Sequence, residues 1–471
     1  MNENKAVELI KTVVCAVLLV SLVCLCAIYI FGFGGVPNAG LSKSVMAALK
    51  RQSSKNEYSR YFSADYVIPE FIGVVSSDGR RVGAFADTAD VKVRTLYSGF
   101  SVYLKQTFGG EGKVSSLSRA EGERKWREVL SGDSIYMDFC GELPRSIIYF
   151  MTFPDASDEN VGNEFISELA IFPVGEPTVI KSTDVYGGET ISKLYAFSVL
   201  ARNRHGEYYL FESDFVPKTF TDVYFGMERI FSYNMSGMFS FEFDYGDCYT
   251  GMTVRTEDLS APEVFITPRD ITGSEEATSR MAEAFGINYE KSARYYESDG
   301  AVSYIEEGHN IKLYRDGRIV YTVTGNAGGV RLNSGSGNSD IYDYIGMSIK
   351  LIKASGAGDN VSLRLRGIYR NGKNTEVVFG YSCNNLSVSD GDGGLLRFEF
   401  SGEKLVTAEL ALYDIQSTKR YAGCPRRWYA DIYGIEQSGK GRLIPLYVVG
   451  DVEKAVGASW LFAKASEVNE K

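Results

Sequence analysis

The sequence predicts an α+β fold: an N-terminal transmembrane helix followed by about three extracytoplasmic domains in which helices cover antiparallel sheets. Three observations carry that expectation. Residues 12–31 form an uncharged apolar run. Tyr and Phe are abundant, 31 and 27 among 471 residues, and such rings suit the pleated, half-buried surface of strands. Beyond residue 100, segments with helical spacing and cap residues alternate with strand-like segments bounded by turn residues.

The first element is LIKTVVCAVLLVSLVCLCAIYI, residues 9–30. No charge occurs from Thr12 to Phe31, and about 20 apolar residues suffice to cross a bilayer. A cleaved secretory signal has a shorter apolar core of about 7–15 residues and a small-residue cleavage site. The following FGFGGVPNAG offers no A-x-A pattern, because Pro37 stands two residues before Ala39. Cys15, Cys24 and Cys26 follow Val14, Val23 and Leu25, where lipoprotein processing needs a small residue. A soluble core helix is rarely apolar on every face over this length. The expected order is a cytoplasmic tail (1–11), an anchor (12–31) and a Gly-rich linker (32–40). Lys11 abuts the apolar run while the next charge beyond it is Lys43, which favours a cytoplasmic N-terminus and an extracytoplasmic bulk. Val14, Val17, Ser21, Cys24 and Ile28 share one face of this helix, a candidate surface for packing on a partner's membrane helices. It lacks G-x-x-x-G, and a face that meets only lipid is the alternative.

Residues 41–260 are expected to form an N-terminal α+β region, with two subdomains meeting near 160. Its helices are expected over LSKSVMAALKRQ, LYSGFSVYLKQTF and SRAEGERKWREVL, the last with Ser118 as N-cap. DSIYMDF, NEFISELAIF, KLYAFSVLA and EYYLFES read as strands. RNRHG between the last two is a hairpin turn in which His205 is a polar turn residue. From 261 a helix-plus-sheet unit runs to 330. ITGSEEATSRMAEAFGI is its helix, with Ser274 as N-cap and Gly286 as stop. AVSYIEE and IKLYRDGRIVYTV are its strands, with Asp316-Gly317 expected as a type I′ turn. A second unit spans 331–455. It opens on a helix capped by Ser339, with Ile341, Ile345, Ile349 and Ile352 on one face and Gly356 as stop. The strands VSLRLRGIY, TEVVFGYS, LLRFEF and KLVTAELALY follow, and 456–471 is a tail.

The net charge of −10 argues against nucleic acid and against a polybasic lipid-binding role. Four of seven cysteines lie outside the anchor, at 140, 248, 383 and 424, without C-x-x-C spacing. A Cys383–Cys424 disulfide and buried reduced cysteines stand as alternatives. With His205 and His309 the only histidines, a histidine-based zinc site is not expected. GGEGK at 109–113 lacks the lead glycine of a phosphate-binding loop. DGDGG at 390–394 lacks the distant Glu of a calcium loop and reads as a turn. CPRRWY at 424–429 reads as a turn with a packed Trp428 or as a basic contact site. No catalytic residue, cofactor or metal site is expected, which leaves binding or regulation. The alternatives are an anchored cell-envelope enzyme, which needs a cleft with converging titratable groups, and a wall-binding scaffold with an exposed patch.

The arrangement resembles the YycH/YycI family of Gram-positive regulators. LIKTVVCAVLLVSLVC is similar to its anchor, and KWREVLSGDSIYMDFCGELP to its first external domain. YIEEGHNIKLYRDGRIVYT, EVVFGYSCNNLSVSD and GRLIPLYVV are similar to its later domains. Chain length suits YycH better than YycI. Where the family often carries Pro-x-Trp near its end, this chain has Pro445-Leu446-Tyr447. The resemblance implies a non-enzymatic protein of the cell membrane. Its implied partners are the WalK sensor histidine kinase of cell-wall homeostasis and a YycI-like protein, met through the anchor and the outer domains.

Overall fold

The structure is a computed structural model. It describes residues 66–77, 79, 81–85, 103–104, 107–109, 113–152, 161–162, 164–183, 189–213, 240–245, 252–254, 258–325, 328–332, 341–358, 361–389, 395–425, 441–449, 455–457 and 459–464. The expected tail, anchor and linker, the helix at 41–52, the Ser339 cap, DGDGG and Trp428 lie outside these residues. Among the described residues no helix is long and apolar enough to cross a membrane.

Nine strands form the first sheet: β1 (Phe71–Val75), β2 (Arg81–Phe85), β3 (Lys113–Leu117), β4 (Ser134–Pro144), β5 (Phe165–Thr183), β6 (Glu189–Arg202), β7 (Tyr208–Ser213), β8 (Ser240–Tyr245) and β9 (Met252–Val254). Their order is β3-β7-β6-β5-β4-β1-β2-β8-β9, antiparallel throughout. β1 reads FIGVV and is buried at all five positions. A continuous apolar run of this kind marks a strand covered on both faces.

Helix α1 (Arg119–Val129) starts at Ser118, whose Oγ accepts from Glu121 N–H at 3.4 Å. Its Trp126 is fully buried between Tyr136 of β4 and Tyr208 of β7. Gly122 lets α1 come this close, since a Cβ there would fall 2.2 Å from the Tyr208 ring. Helix α2 (Arg145–Thr152) begins directly after β4. The sequence reading missed it because SIIYF, after a strand, looks like more strand. Ile147 and Ile148 nonetheless face the core.

The turn joining β6 and β7 is as expected. Asn203 Oδ1 accepts from the N–H groups of His205 and Glu207, both at 3.0 Å, and Gly206 takes φ +79°.

β10 (Asp258–Pro268) pairs with β20 (Tyr413–Pro425) in a separate two-stranded ribbon. The remaining strands are β11 (Ala293–Tyr296), β12 (Val302–Glu306), β13 (His309–Leu313), β14 (Arg318–Val323), β15 (Ser362–Asn371), β16 (Asn374–Cys383), β17 (Leu386–Ser389), β18 (Leu396–Ser401), β19 (Lys404–Ala411), β21 (Gly441–Val448) and β22 (Ser459–Lys464). They make an 11-stranded sheet in the order β11-β12-β13-β14-β19-β18-β16-β17-β21-β22, with β15 paired to β16. The stretches read as two helix-plus-sheet units thus share one sheet, joined where Arg318–Thr322 pairs with Ala411–Thr407. Among the described pairs of this sheet, only β17–β21 is parallel.

Helix α3 (Glu275–Ala284) has the expected cap: Ser274 Oγ accepts from Ala277 N–H at 3.2 Å, and Gly286 ends it at φ +73°. Helix α4 (Ile341–Ser355) buries the four expected isoleucines, but also Tyr344, Met347, Ser348 and Leu351. A surface helix hides one stripe. α4 is covered on more sides because α3 packs against it and β16 and β18 lie beneath it.

The hairpin at Asp316-Gly317 is present, but its turn is not type I′. Only Gly317 has positive φ (+81°). Gly317 N–H donates to Tyr314 O, and Tyr314 N–H to Arg318 O, which makes a three-residue loop with one left-handed glycine. The pair of positive φ values that type I′ requires occurs at Asn384 and Asn385 (+51° and +65°), between β16 and β17. Asparagine tolerates that region through its short polar side chain. Cys383, just before this turn, is a half-buried thiol.

Candidate functional site: a charged seam between the two sheets

β15 carries alternating residues, Leu363, Arg364, Leu365 and Arg366. Alternation predicts leucines on the core and arginines in water. The leucines are buried as expected, yet Arg364 is 1% exposed. The strand's second face is covered by the other sheet, because β15 packs on β4.

The approach of β4 to β15 is very close. A Cβ at Gly141 of β4 would fall 1.2 Å from Arg366 O, so only glycine fits. The two arginines meet a carboxylate there. Glu70, just before β1 and 1% exposed, accepts from Arg366 Nη1 at 2.6 Å. Its Oε2 lies 4.0 Å from Arg364 Nη1, and Ser387 of β17 donates to its Oε1. The Glu70 main-chain N–H donates to Asp138 O of β4 at 2.7 Å. Glu70 therefore ties the first sheet by its backbone and the second by its side chain. Nearby, Tyr342 OH of α4 donates to Ser146 O of α2 at 3.1 Å.

A second buried ion pair lies within the first sheet. Arg202 donates to Glu168 Oε2 at 2.9 and 3.1 Å, and Tyr136 OH donates to the same oxygen at 3.0 Å. The Arg202 guanidinium lies over the Trp126 ring, 4.9 Å from its centre, a cation–π arrangement. At the rim, Glu142 accepts from Arg204 N–H at 2.8 Å, and His205 Nε2 stands 3.6 Å from its other oxygen. Arg145 of α2 is held against Glu164 at 3.1 Å, and burial pushes its guanidinium below the ordinary value despite that carboxylate.

A groove of about 290 Å³ is lined by Arg269, Asp270, Ser274, Glu276, Arg280 and Ser355. Its arginines cap α4: Arg269 donates to Gly356 O at 2.6 Å and Arg280 to Ala354 O at 3.1 Å. Cationic donors at a helix C-terminus satisfy its last carbonyls and oppose the helix dipole. The groove thus holds a helix end in place.

None of these clusters was read from the sequence. Arg364 and Arg366 were visible only as strand residues, and Glu70 lies in a segment with no expected element. The anchor-face residues Val14, Val17, Ser21, Cys24 and Ile28 lie outside the described residues. No group of three or more His, Cys, Asp or Glu among the described residues is placed to hold a metal ion.

No family model matches the sequence, and no curated protein matches it. The structure is similar to the crystal structure of YycH from Bacillus subtilis, with a TM-score of 0.52, 9% identity, and coverage of 88% of this chain and 97% of that one. At this identity the likeness is one of fold, and the chain has a YycH-like fold.

Proposed function

We propose that this protein is a single-pass, membrane-anchored extracytoplasmic regulator that modulates a WalK-like sensor histidine kinase in cell-wall homeostasis. It acts through protein–protein contacts of its anchor and outer sheets, with a YycI-like protein as a further partner. The observation that carries this reading is the fold likeness to YycH over 88% of the chain. The uncharged run 12–31 supports the anchor. Orientation follows from Lys11 at its inner end.

Lipid is as apolar as leucine, so a helix in the bilayer recognises its partner by close packing and hydrogen bonds. Ser21 at the centre of the Val14, Val17, Ser21, Cys24, Ile28 face supplies a small polar group for that contact. Regulation then requires the outer domains to bind two kinase states with different affinity. The Glu70 seam suits such a role, since it couples the two sheets into one body.

Crosslinking in native membranes, with recovery of partners, tests the proposal. A sensor kinase is the expected product. Recovery of wall polymer without a kinase would overturn it in favour of a wall-binding module. Ser21→Leu is expected to weaken kinase recovery while membrane insertion is unchanged.

A further inference from the structure

β11 forms one edge of the 11-stranded sheet, and all four of its residues are exposed. Tyr295 and Tyr296 are 53% and 74% exposed, and Ile305 on the adjoining β12 is 40% exposed. These three stand among only eight large hydrophobic residues that are exposed in the described part of the chain, so the edge concentrates apolar surface. Soluble proteins protect open edges with lysine, proline, bulges or a covering element. The β3 edge of the first sheet exposes only Val114 of that set and flanks it with Ser115, Ser116 and a Lys113–Glu212 ion pair at 3.4 Å. β11 is short and has one charge, Arg294, but neither proline nor lysine, and two of its four residues are exposed tyrosines.

The direction of its free backbone groups can be read from one hydrogen bond. Glu297 N–H donates to Ala301 O at 2.9 Å and closes the β11–β12 hairpin. Successive residues of a strand point their N–H and C=O to opposite sides. Ala293 and Tyr295 therefore address β12, and Arg294 and Tyr296 address the open edge.

We infer that a second copy of this chain pairs its β11 antiparallel to this edge, with the two-fold axis at Tyr295. Antiparallel hydrogen-bonded pairs need outward groups on both strands, so Arg294 and Tyr296 must oppose outward residues of the partner. With the axis at Tyr295, Arg294 opposes the partner's Tyr296 and the reverse, giving two cation–π contacts. Arg294 already stacks on Tyr296 of its own chain, 5.0 Å from the ring centre. The two Tyr295 rings meet as a non-hydrogen-bonded pair, the closer kind, on the face that carries Ile305. Sliding by two residues one way sets Arg294 against Arg294. Sliding the other way sets Tyr296 against Tyr296 and leaves Arg294 beyond the end of the partner's β11. The strand is thus complementary to itself in one register.

The test is cysteine crosslinking of the full chain under mild oxidation, against the parent chain as background. Tyr295→Cys sits on the axis and is expected to give a reducible dimer whose yield rises with concentration. Tyr421→Cys is more open to solvent, at 68% exposure, yet is expected to give several times less. Adding Arg294→Glu to Tyr295→Cys is expected to lower the yield about two- to thirtyfold, as loss of two cross-strand pairs would. Equal yields at the two positions, no dimer at Tyr295→Cys, or a yield indifferent to Arg294→Glu would each overturn the proposal.

Discussion

Glu70 and Glu168 are both buried carboxylates facing arginine, but they sit in different settings. Glu168 is served by neighbours on adjacent strands of one sheet, and its arginine also rests on the Trp126 ring. Glu70 is served by Arg366 and Ser387 of a sheet far away in sequence, with Arg364 close by. The first pair belongs to the core of one sheet. The second exists only once two sheets have met. Charges taken out of water cost free energy that only good geometry offsets, and removal of one partner leaves the other buried without its countercharge.

The largest expected effect follows from that difference. Glu70→Ala removes the carboxylate that two guanidinium groups face and is expected to cost about 3–5 kcal/mol, read by urea titration. Glu168→Ala is expected to cost less, because the Trp126 ring still receives Arg202. An equal or larger loss at Glu168 would break the comparison. Next come the glycines. Gly141→Ala and Gly122→Ala each force a clash and are expected to cost about 1–3 kcal/mol, even though alanine favours the α1 helix at position 122 by about 1 kcal/mol. A double-mutant cycle sharpens the point: Glu70→Ala with Gly141→Ala is expected to be less than additive because both open one seam, whereas Glu70→Ala with Gly122→Ala is expected to add. The caps are smaller: Ser118→Ala and Ser274→Ala are each expected to cost about 1 kcal/mol without altering the seam. The last effect is pH-dependent. The Ser303 hydroxyl, then Lys312, hold the Glu297 carboxyl below its usual value. A carboxyl lowered in the folded state adds stability above its unfolded pKa, about 4.3, and this is lost as pH falls through the folded value. Glu297→Gln is therefore expected to lower stability slightly at neutral pH and to flatten the acid limb, the two curves converging once the pH is below the folded value.

Local signals were legible wherever a short segment decides the outcome. Ser118 and Ser274 were readable as caps because an oxygen before a helical run meets the orphan N–H groups of the first turn. Gly286 and Gly356 were readable as stops, and both take positive φ. The isoleucine face of α4 was readable from its spacing. Helix α2 and strands β1 and β2 were not, since a short apolar run fits either kind of element. Asn384-Asn385 could have been found as a hairpin, being two residues that tolerate positive φ between two strand-like runs.

By itself the sequence determined which segments could become helices or strands, where helices begin and end, and that residues 12–31 carry no charge, because each depends on groups a few residues apart. The tertiary structure alone decided that two helix-plus-sheet stretches merge through β14 and β19, that the polar face of β15 turns inward, and that Glu70 finds Arg366 and Ser387. Period-two alternation tells which residues share a face of a strand, but not whether water or another sheet lies against that face.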